Sequence, residues 1–393
     1  MTGASLGGPA GFLPFAVPDI GESEIRSVAD VLRSGWITTG RVAEQFESGF
    51  ARFLGSDIQA VAVNSGTAGL HLALESVGVG PGDEVVTTVY TFTATAEVVR
   101  YLGADPVFVD ISADGFNLDT DAVAGAVTAR TKAILPVHVG GVAADMPAVL
   151  AVGRASGLAV VEDAAHALPT TCGGRLVGAL ESDATVFSFY ATKPLTTGEG
   201  GMLVTRSQGL ADRVRLMRLH GIDRPAFDRY TSTKPQWWYQ VVEPGFKYNL
   251  TDMAAALGMA QLSRLRELHA RRTAIAQAYN EAFAELPVLL PPGPMDGDQH
   301  SWHLYMLRLR EDAPLARDAF IERLFAMGIG CSVHFIPMFM HPYWRDRYKL
   351  RAEDYPNAKK AFESEVSLPI HTKMSDHDVE RVISAVRHVL GGS

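Results

Sequence analysis

The chain has 393 residues, 47% hydrophobic and 20% charged, which are ordinary proportions for a folded protein too long for one core. Its formal net charge of -9 argues against a general nucleic-acid binder, which needs a basic face, but leaves room for a locally basic pocket. Two cysteines, Cys172 and Cys331, are too few for a disulfide framework, a four-cysteine zinc site or an unaided iron–sulfur cluster, and they fit a reducing cytoplasm.

Residues 1–15 are rich in Gly, Ala and Pro and read as a loose leader, with no basic start and apolar core of a signal peptide. No apolar run approaches the roughly 18 residues a membrane helix needs. Residues 16–250 read as one large domain. Within it, helical spacing of three and four alternates with β-branched runs at Val61–Val63, Glu84–Val89, Pro106–Val109, Ala133–Val137, Leu158–Glu162 and Thr185–Phe189. That alternation predicts an α/β domain with a mostly parallel sheet covered on both faces. Met202–Thr205 follows a glycine pair and reads as an antiparallel partner of the run before it. Residues 206–245 read as irregular. Thr251 and Asp252 open a long connecting helix over 251–285, and 286–393 read as a smaller α+β C-terminal domain. Its elements are strand-like Leu304–Leu309, helix-like Ala319–Met327, strand-like Gly330–Phe335 and a final helix after Ser375.

A Walker phosphate loop, a Gly-x-Gly-x-x-Gly turn after the first strand and a His-Glu-x-x-His motif are all missing from the sequence. Three other runs carry chemistry. Asn64-Ser65-Gly66-Thr67 ends a strand and starts a helix, offering free N–H groups and hydroxyls to a phosphate. Val160-Val161-Glu162-Asp163 ends a strand in two acids, and His166 follows; a buried carboxylate there suits a cationic ring nitrogen. Lys193 lies in the loop between Phe187-Ser188-Phe189 and Gly198-Glu199-Gly200-Gly201, and a buried lysine can form an imine with a carbonyl cofactor. Taken singly, these runs also read as an N-cap, a helix-capping acid and a solvated lysine. Together they favour a cofactor with a phosphate, a basic ring nitrogen and an aldehyde, which describes pyridoxal 5'-phosphate (PLP).

In these runs the sequence resembles the DegT-type sugar-nucleotide aminotransferases, a family of fold-type I PLP enzymes. The likeness extends from about Leu13 to the end. Further markers are Ser34-Gly35-Trp36-Ile37-Thr38-Thr39-Gly40, Thr91-Phe92-Thr93-Ala94-Thr95, Pro136-Val137-His138, Gly245 through Asp252, Trp302-His303, Val333-His334-Phe335 and Ser367-Leu368-Pro369. Within the family it is most similar to the 4-keto-sugar branch, such as the enzyme that makes the 4-amino-4-deoxyarabinose of lipid A.

The resemblance implies a PLP-dependent aminotransferase that passes through the pyridoxamine form, PMP. L-glutamate would be the donor and a nucleotide-diphosphate 4-keto sugar the acceptor. It assigns Lys193 to the Schiff base and to proton transfer, Asp163 to the pyridine nitrogen, Phe92 to the ring face and His166 to the phenolic oxygen. Gly66, Thr67 and Ser188 would hold the phosphate. A residue of the Gly245 run reaches the phosphate from the neighbouring subunit in this family, so a homodimer is expected. Lys247 and Asn249 are the candidates, although many members carry Asn and Arg at these two positions. His334 and Trp36 match substrate positions, and His220, Arg224, Trp237 and Trp238 lie in a variable segment that can meet the nucleotide. The competing readings are a PMP-dependent dehydratase of the same fold, which would carry His in place of Lys193, amination at C3, and a non-catalytic homologue.

Overall fold

A computed structural model describes residues 11–223, 237–295 and 297–391. Seven strands form the principal sheet: β1 (Gln59–Val63), β2 (Glu84–Thr88), β3 (Asp105–Val109), β4 (Thr131–Leu135), β5 (Ala159–Asp163), β6 (Ala184–Ser188) and β7 (Gly201–Thr205). Their order is β1-β7-β6-β5-β4-β2-β3. β7 runs antiparallel to both its neighbours, and the remaining pairs are parallel. The long apolar runs that predicted these strands exist because both faces of the sheet are covered. On one side Phe46, Phe50, Phe187, Phe189 and Met202 share a core. On the other the helix Gly66–Ser76, buried along most of its length, packs with Val61, Val85 and Val186.

Local signals set the element ends. Asp145 caps the helix Met146–Ser156, Pro147 opens it, and Gly157 closes it at φ 66°, a left-handed conformation that glycine adopts without a steric cost. Thr251 accepts from Ala254 N–H and starts a helix of 32 residues, Asp252–Phe283. Asp252 also accepts the backbone N–H groups of Gly40 and Ala43, at 2.7 and 3.0 Å, and so ties the start of the helix Arg41–Leu54 to the long helix.

The far end of the long helix, through Ile275, Tyr279 and Phe283, packs on a second sheet of β8 (Val288–Leu289), β9 (Tyr305–Leu309) and β10 (Glu365–Leu368). The helix Asp376–Leu390, opened by a Ser375–Asp378 capping box, covers the same core.

Three local expectations need correction. Residues 11–15 are not loose: Leu13 is buried and exchanges backbone hydrogen bonds with Gly328 and Gly330 at 2.8 Å, because Phe12, Leu13 and Phe15 supply apolar anchors among the small residues. Residues 206–245 are not wholly irregular, since Ser207 caps a helix over Gln208–Met217. Gly330–Phe335 is not a regular strand. Ser332 makes one bridge to Ser367, and the neighbouring Gly330 bonds Leu13 instead, so the segment is split between two partners.

Gly201 marks where the sheet and the future site meet. A Cβ there would stand 2.8 Å from the carbonyl oxygens of Phe187 and Ser65 and 2.9 Å from Gly66 N. Gly201→Ala is expected to destabilise the chain by about 1–3 kcal/mol, as overpacking does, measured by urea unfolding.

Candidate active site

The parallel strands point their carboxyl ends to one side, where open α/β sheets place ligands. A cavity of about 610 Å³ lies there. Its walls include Ser65, Gly66 and Thr67 after β1, Thr91, Phe92 and Thr95 after β2, and Asp163 and His166 at the end of β5. Ser188 ends β6 and Lys193 follows it, and His303, His334 and Phe335 arrive from the C-terminal part of the chain.

Asp163 is the last residue of β5. Its N–H bonds Pro136 O and its C=O accepts from His138 N–H, which fixes both backbone groups to the segment that continues β4, while Val186 of β6 pairs with it on the other side. Its buried carboxyl accepts from Thr95 Oγ1 at 2.8 Å and Ala165 N–H at 3.1 Å. Burial pushes its pKa upward against those two donors and the Lys193 charge. Thr95 is held in turn by Thr91 at 2.8 Å. Beside Asp163, the buried Glu162 carboxyl bonds His138 Nε2 at 2.9 Å and Thr185 Oγ1 at 2.7 Å, which locks β5 to β4 and β6.

Lys193 sits in the β6–β7 connection, which is closed by the bonds Phe189 N–H to Gly200 O and Thr197 N–H to Phe189 O. Burial holds its amine down to about 8, although the Asp163 charge pulls the other way. Its Nζ lies 3.4 Å from His303 Nε2. His303 in turn packs against the His166 ring, with centroids 4.4 Å apart. Both histidines titrate well below the ordinary value because they are buried and face Lys193, so both are neutral at neutral pH. His166 Nδ1 accepts from Gly140 N–H at 3.2 Å, which leaves the His166 proton on Nε2. The His303 segment is positioned by Leu304 N–H bonding Gly140 O, and by buried Arg272, which donates to the carbonyls of Trp302, His303 and Ile370.

The Gly66–Ser76 helix directs its N-terminus at this space, with Ser65 capping Ala68 N–H at 3.0 Å. A Cβ on Gly66 would come within 3.0 Å of Ser188 Cβ, so glycine lets the turn approach the Ser188 wall. Phe92 is 61% exposed, a large apolar ring presented to the cavity rather than to the core.

Of the sequence-proposed residues, Gly66, Thr67, Phe92, Asp163, His166, Ser188, Lys193 and His334 line this one cavity. Lys247, Asn249, Trp36, His220 and Trp238 do not line it. Lys247 Nζ donates to Asn249 Oδ1 at 2.6 Å, Asn249 Nδ2 donates to Thr39 Oγ1 at 2.6 Å, and Trp36 Nε1 donates to Thr39 O at 3.2 Å. These residues therefore form a separate surface cluster. His220 and Trp238 are exposed, and Arg224 falls outside the described residues. Thr95 and His303 also line the cavity, and in the sequence they stand out only as members of the Thr91–Thr95 and Trp302-His303 motifs. The sequence offered no further signal, because a hydroxyl and an imidazole acquire roles here only through folding.

The residues fit PLP by their chemistry. A buried carboxyl is poised for a ring cation, a buried amine stays largely unpaired, and hydroxyls stand at a helix N-terminus for a phosphate. Among the described residues no His/Cys/Asp/Glu group could hold a metal ion, and no helix is long and apolar enough to cross a membrane.

The DegT/DnrJ/EryC1/StrS aminotransferase family model matches residues 18–387. The chain belongs to this family. It is 47% identical over 384 residues to the spore coat polysaccharide biosynthesis protein SpsC of Bacillus subtilis, covering 97% of this chain and 98% of that one. Among solved structures, the putative sugar aminotransferase Spr1654 of Streptococcus pneumoniae, known in PLP and PMP forms, superposes with TM-score 0.89 at 34% identity over 96% of this chain and 98% of its own. DesV of S. venezuelae, solved with a ketimine intermediate, gives 0.84 at 35% identity over 93% of each chain. The protein is a PLP-dependent sugar aminotransferase of the fold-type I class.

The depressed amine has a consequence for stability. In the apoenzyme Lys193 binds its proton less tightly than in the unfolded chain, so folding a chain whose Lys193 is protonated costs stability below about 8, and folding releases that proton only between about 8 and the unfolded ~10.4. Lys193→Met is expected to be more stable than the wild-type apoenzyme at neutral pH. That advantage should shrink as pH rises from about 8 toward the ~10.4 of an exposed lysine, read by denaturant unfolding across the range.

Proposed function

We propose that this aminotransferase moves an amino group from L-glutamate to C4 of a 4-keto sugar carried on a nucleoside diphosphate, yielding an amino sugar for polysaccharide or natural-product glycosylation. The observation that carries the reading is the joint burial of Asp163 and Lys193 in one cavity, with opposite shifts. When bound, PLP supplies a carbonyl that takes up the amino group and a ring that accepts the electrons left on the substrate carbon.

The chain's own residues then divide the work. Asp163, held by Thr95 and Ala165, pairs with the ring nitrogen and keeps it protonated. Lys193 would anchor the cofactor and afterwards carry the proton along one face, a role that suits an amine brought down to about 8 by burial. Phe92 covers the ring, and His166 offers its Nε2–H to the phenolic oxygen. Gly66, Thr67 and Ser188 take the phosphate. Presence of a lysine at 193 favours aminotransfer over the histidine-based dehydration known on this fold.

Among the residues lining the cavity, Lys193 is the one lysine or arginine, so the phosphate wall carries hydroxyls and N–H groups but no side-chain charge of its own. The Lys247–Asn249–Thr39–Trp36 cluster supports a homodimer in which a second copy brings this cation to the phosphate and Trp36 to the substrate. We assign His334, which lines the cavity, to the sugar, and the exposed His220 and Trp238 to the nucleotide.

The experiment is a pair of half-reactions. L-glutamate should bleach the visible band of the lysine-linked cofactor, and, after the amino acid is removed, dTDP-4-keto-6-deoxyglucose should restore it. Bleaching without return would reject this sugar, and no bleaching would reject the donor. Lys193→Ala should cost about 10²-fold or more in turnover. Asp163→Ala should weaken PLP retention and slow both half-reactions, read by cofactor titration and single-turnover absorbance. Normal rates in either variant would contradict the roles given to these residues.

A further inference from the structure

His334 is the one cavity residue whose ring is tied into a closed circuit. Phe15 stacks on it at 5.4 Å and Phe335 packs edge-on at 5.3 Å. Its Nδ1 lies 2.9 Å from Ser367 Oγ, and Ser367 Oγ lies 2.5 Å from Glu365 Oε1. The other carboxyl oxygen, Glu365 Oε2, accepts the backbone N–H of His334 at 2.9 Å. Glu365 therefore holds His334 twice, once directly and once through Ser367. Glu365 and Ser367 are fully buried on β10 and stand behind the wall, whereas His334 faces the cavity. The circuit uses Nδ1 and leaves Nε2 on the cavity side.

Proton counting fixes what Nε2 offers. Oε2 is an acceptor, so an acid proton on Glu365 must sit on Oε1 and point at Ser367 Oγ. The Ser367 hydroxyl then donates its single proton to His334 Nδ1, and the imidazole proton is left on Nε2. Ionising Glu365 reverses the chain: Ser367 donates to the carboxylate, His334 donates Nδ1–H to Ser367, and Nε2 becomes a bare acceptor.

We propose that Glu365 and Ser367 are positioning residues that act through this chain of protons to present His334 Nε2–H to an oxygen of the sugar substrate, the sugar being the acceptor class assigned above. A ketone or ring oxygen has only lone pairs to offer, so a fixed neutral donor selects for it. A substrate lacking that oxygen would leave the donor unpaired, which is a costly outcome in a buried wall.

The surroundings keep Glu365 in its acid form at neutral pH. Burial pushes it up to about 8. Arg317, from the helix Arg317–Ala326, is the cation whose charge draws Glu365 the other way, but it bonds the backbone carbonyls of Phe362 and Glu365 at 3.0 and 3.4 Å. Arg308 is its register partner on β9 and directs a guanidinium nitrogen to Ala113 O. Tyr90 donates to His334 O at 2.9 Å and, like the Cys331 thiol at about 12, stays protonated. His334 itself is pushed down to about 4 by burial and by Lys193, so it remains neutral while Glu365 titrates.

Glu365→Gln tests the chain directly. The His334 N–H requires an oxygen opposite it, so the amide oxygen takes the Oε2 position and the NH2 faces Ser367, copying the acid form at every pH. The holoenzyme labelled with 15N-histidine reports the tautomer, with the His334 signals assigned by their loss in His334→Gln. The wild type should show Nε2–H at neutral pH and move toward Nδ1–H as pH rises through about 8. Glu365→Gln should keep Nε2–H throughout, and Ser367→Ala should uncouple His334 from that titration. Nδ1–H in the neutral wild type, or a His334 signal that ignores both pH and these substitutions, would overturn the proposal.

In kinetics, Ser367→Ala should raise KM for dTDP-4-keto-6-deoxyglucose about tenfold more than KM for L-glutamate. Equal rises would overturn the sugar contact. The tautomer measurement needs no sugar, so a wrong sugar and a wrong proton chain give different failures.

Discussion

An acid that burial pushes up and an amine that burial pushes down share one cavity, and the rest of the structure keeps them there. Neither shift is free. Charged groups lose solvation inside the protein, and their mutual attraction repays only part of that loss. The Asp163 carboxyl has two donors, Thr95 and Ala165, which is a modest set for a buried carboxylate. The Lys193 amine has one imidazole neighbour, His303. Both groups are thus left wanting a partner, and PLP supplies a ring cation for one and a carbonyl for the other.

Holding such a pair requires a rigid frame. β5 ends at Asp163 with its backbone bonded on both sides, and the Glu162–His138–Thr185 contacts secure the same strand from beneath. Lys193 needs a different device, because loops move. Here the loop joins two strands that pair antiparallel, and the pairing of Ser188 with Gly201 fixes both of its ends. The reversal of β7 in an otherwise parallel sheet is therefore what places a flexible amine on a fixed base. The C-terminal part closes the cavity from the opposite side, with Arg272 of the long helix fastening the His303 segment.

The sequence revealed what local pattern controls. Short β-branched runs between stretches of helical spacing marked the strands, and Thr251 and Ser375 marked helix starts that the structure keeps. The three chemical runs were legible because each lies at the carboxyl end of a strand. Contacts made by chain reversal were not legible. Leu13 looked like part of a loose leader until Ile329 appeared beside it, and Gly330–Phe335 had strand-like residues without a continuous partner. His303, Thr95, Ser367 and Glu365 are ordinary residues in sequence. They gain meaning because β9, β10 and the segment after β2 converge on one wall. Lys247 and Asn249 were named as cofactor residues, yet they bond to each other and to Thr39 away from the cavity of their own chain.

The central claim is that Lys193 is the residue that carries the cofactor. Borohydride reduction of the holoenzyme, followed by peptide mapping with mass spectrometry, reads this directly. The account expects one pyridoxyl group on the peptide that contains Lys193. A pyridoxyl group on another lysine, or none on a protein saturated with PLP, would contradict it.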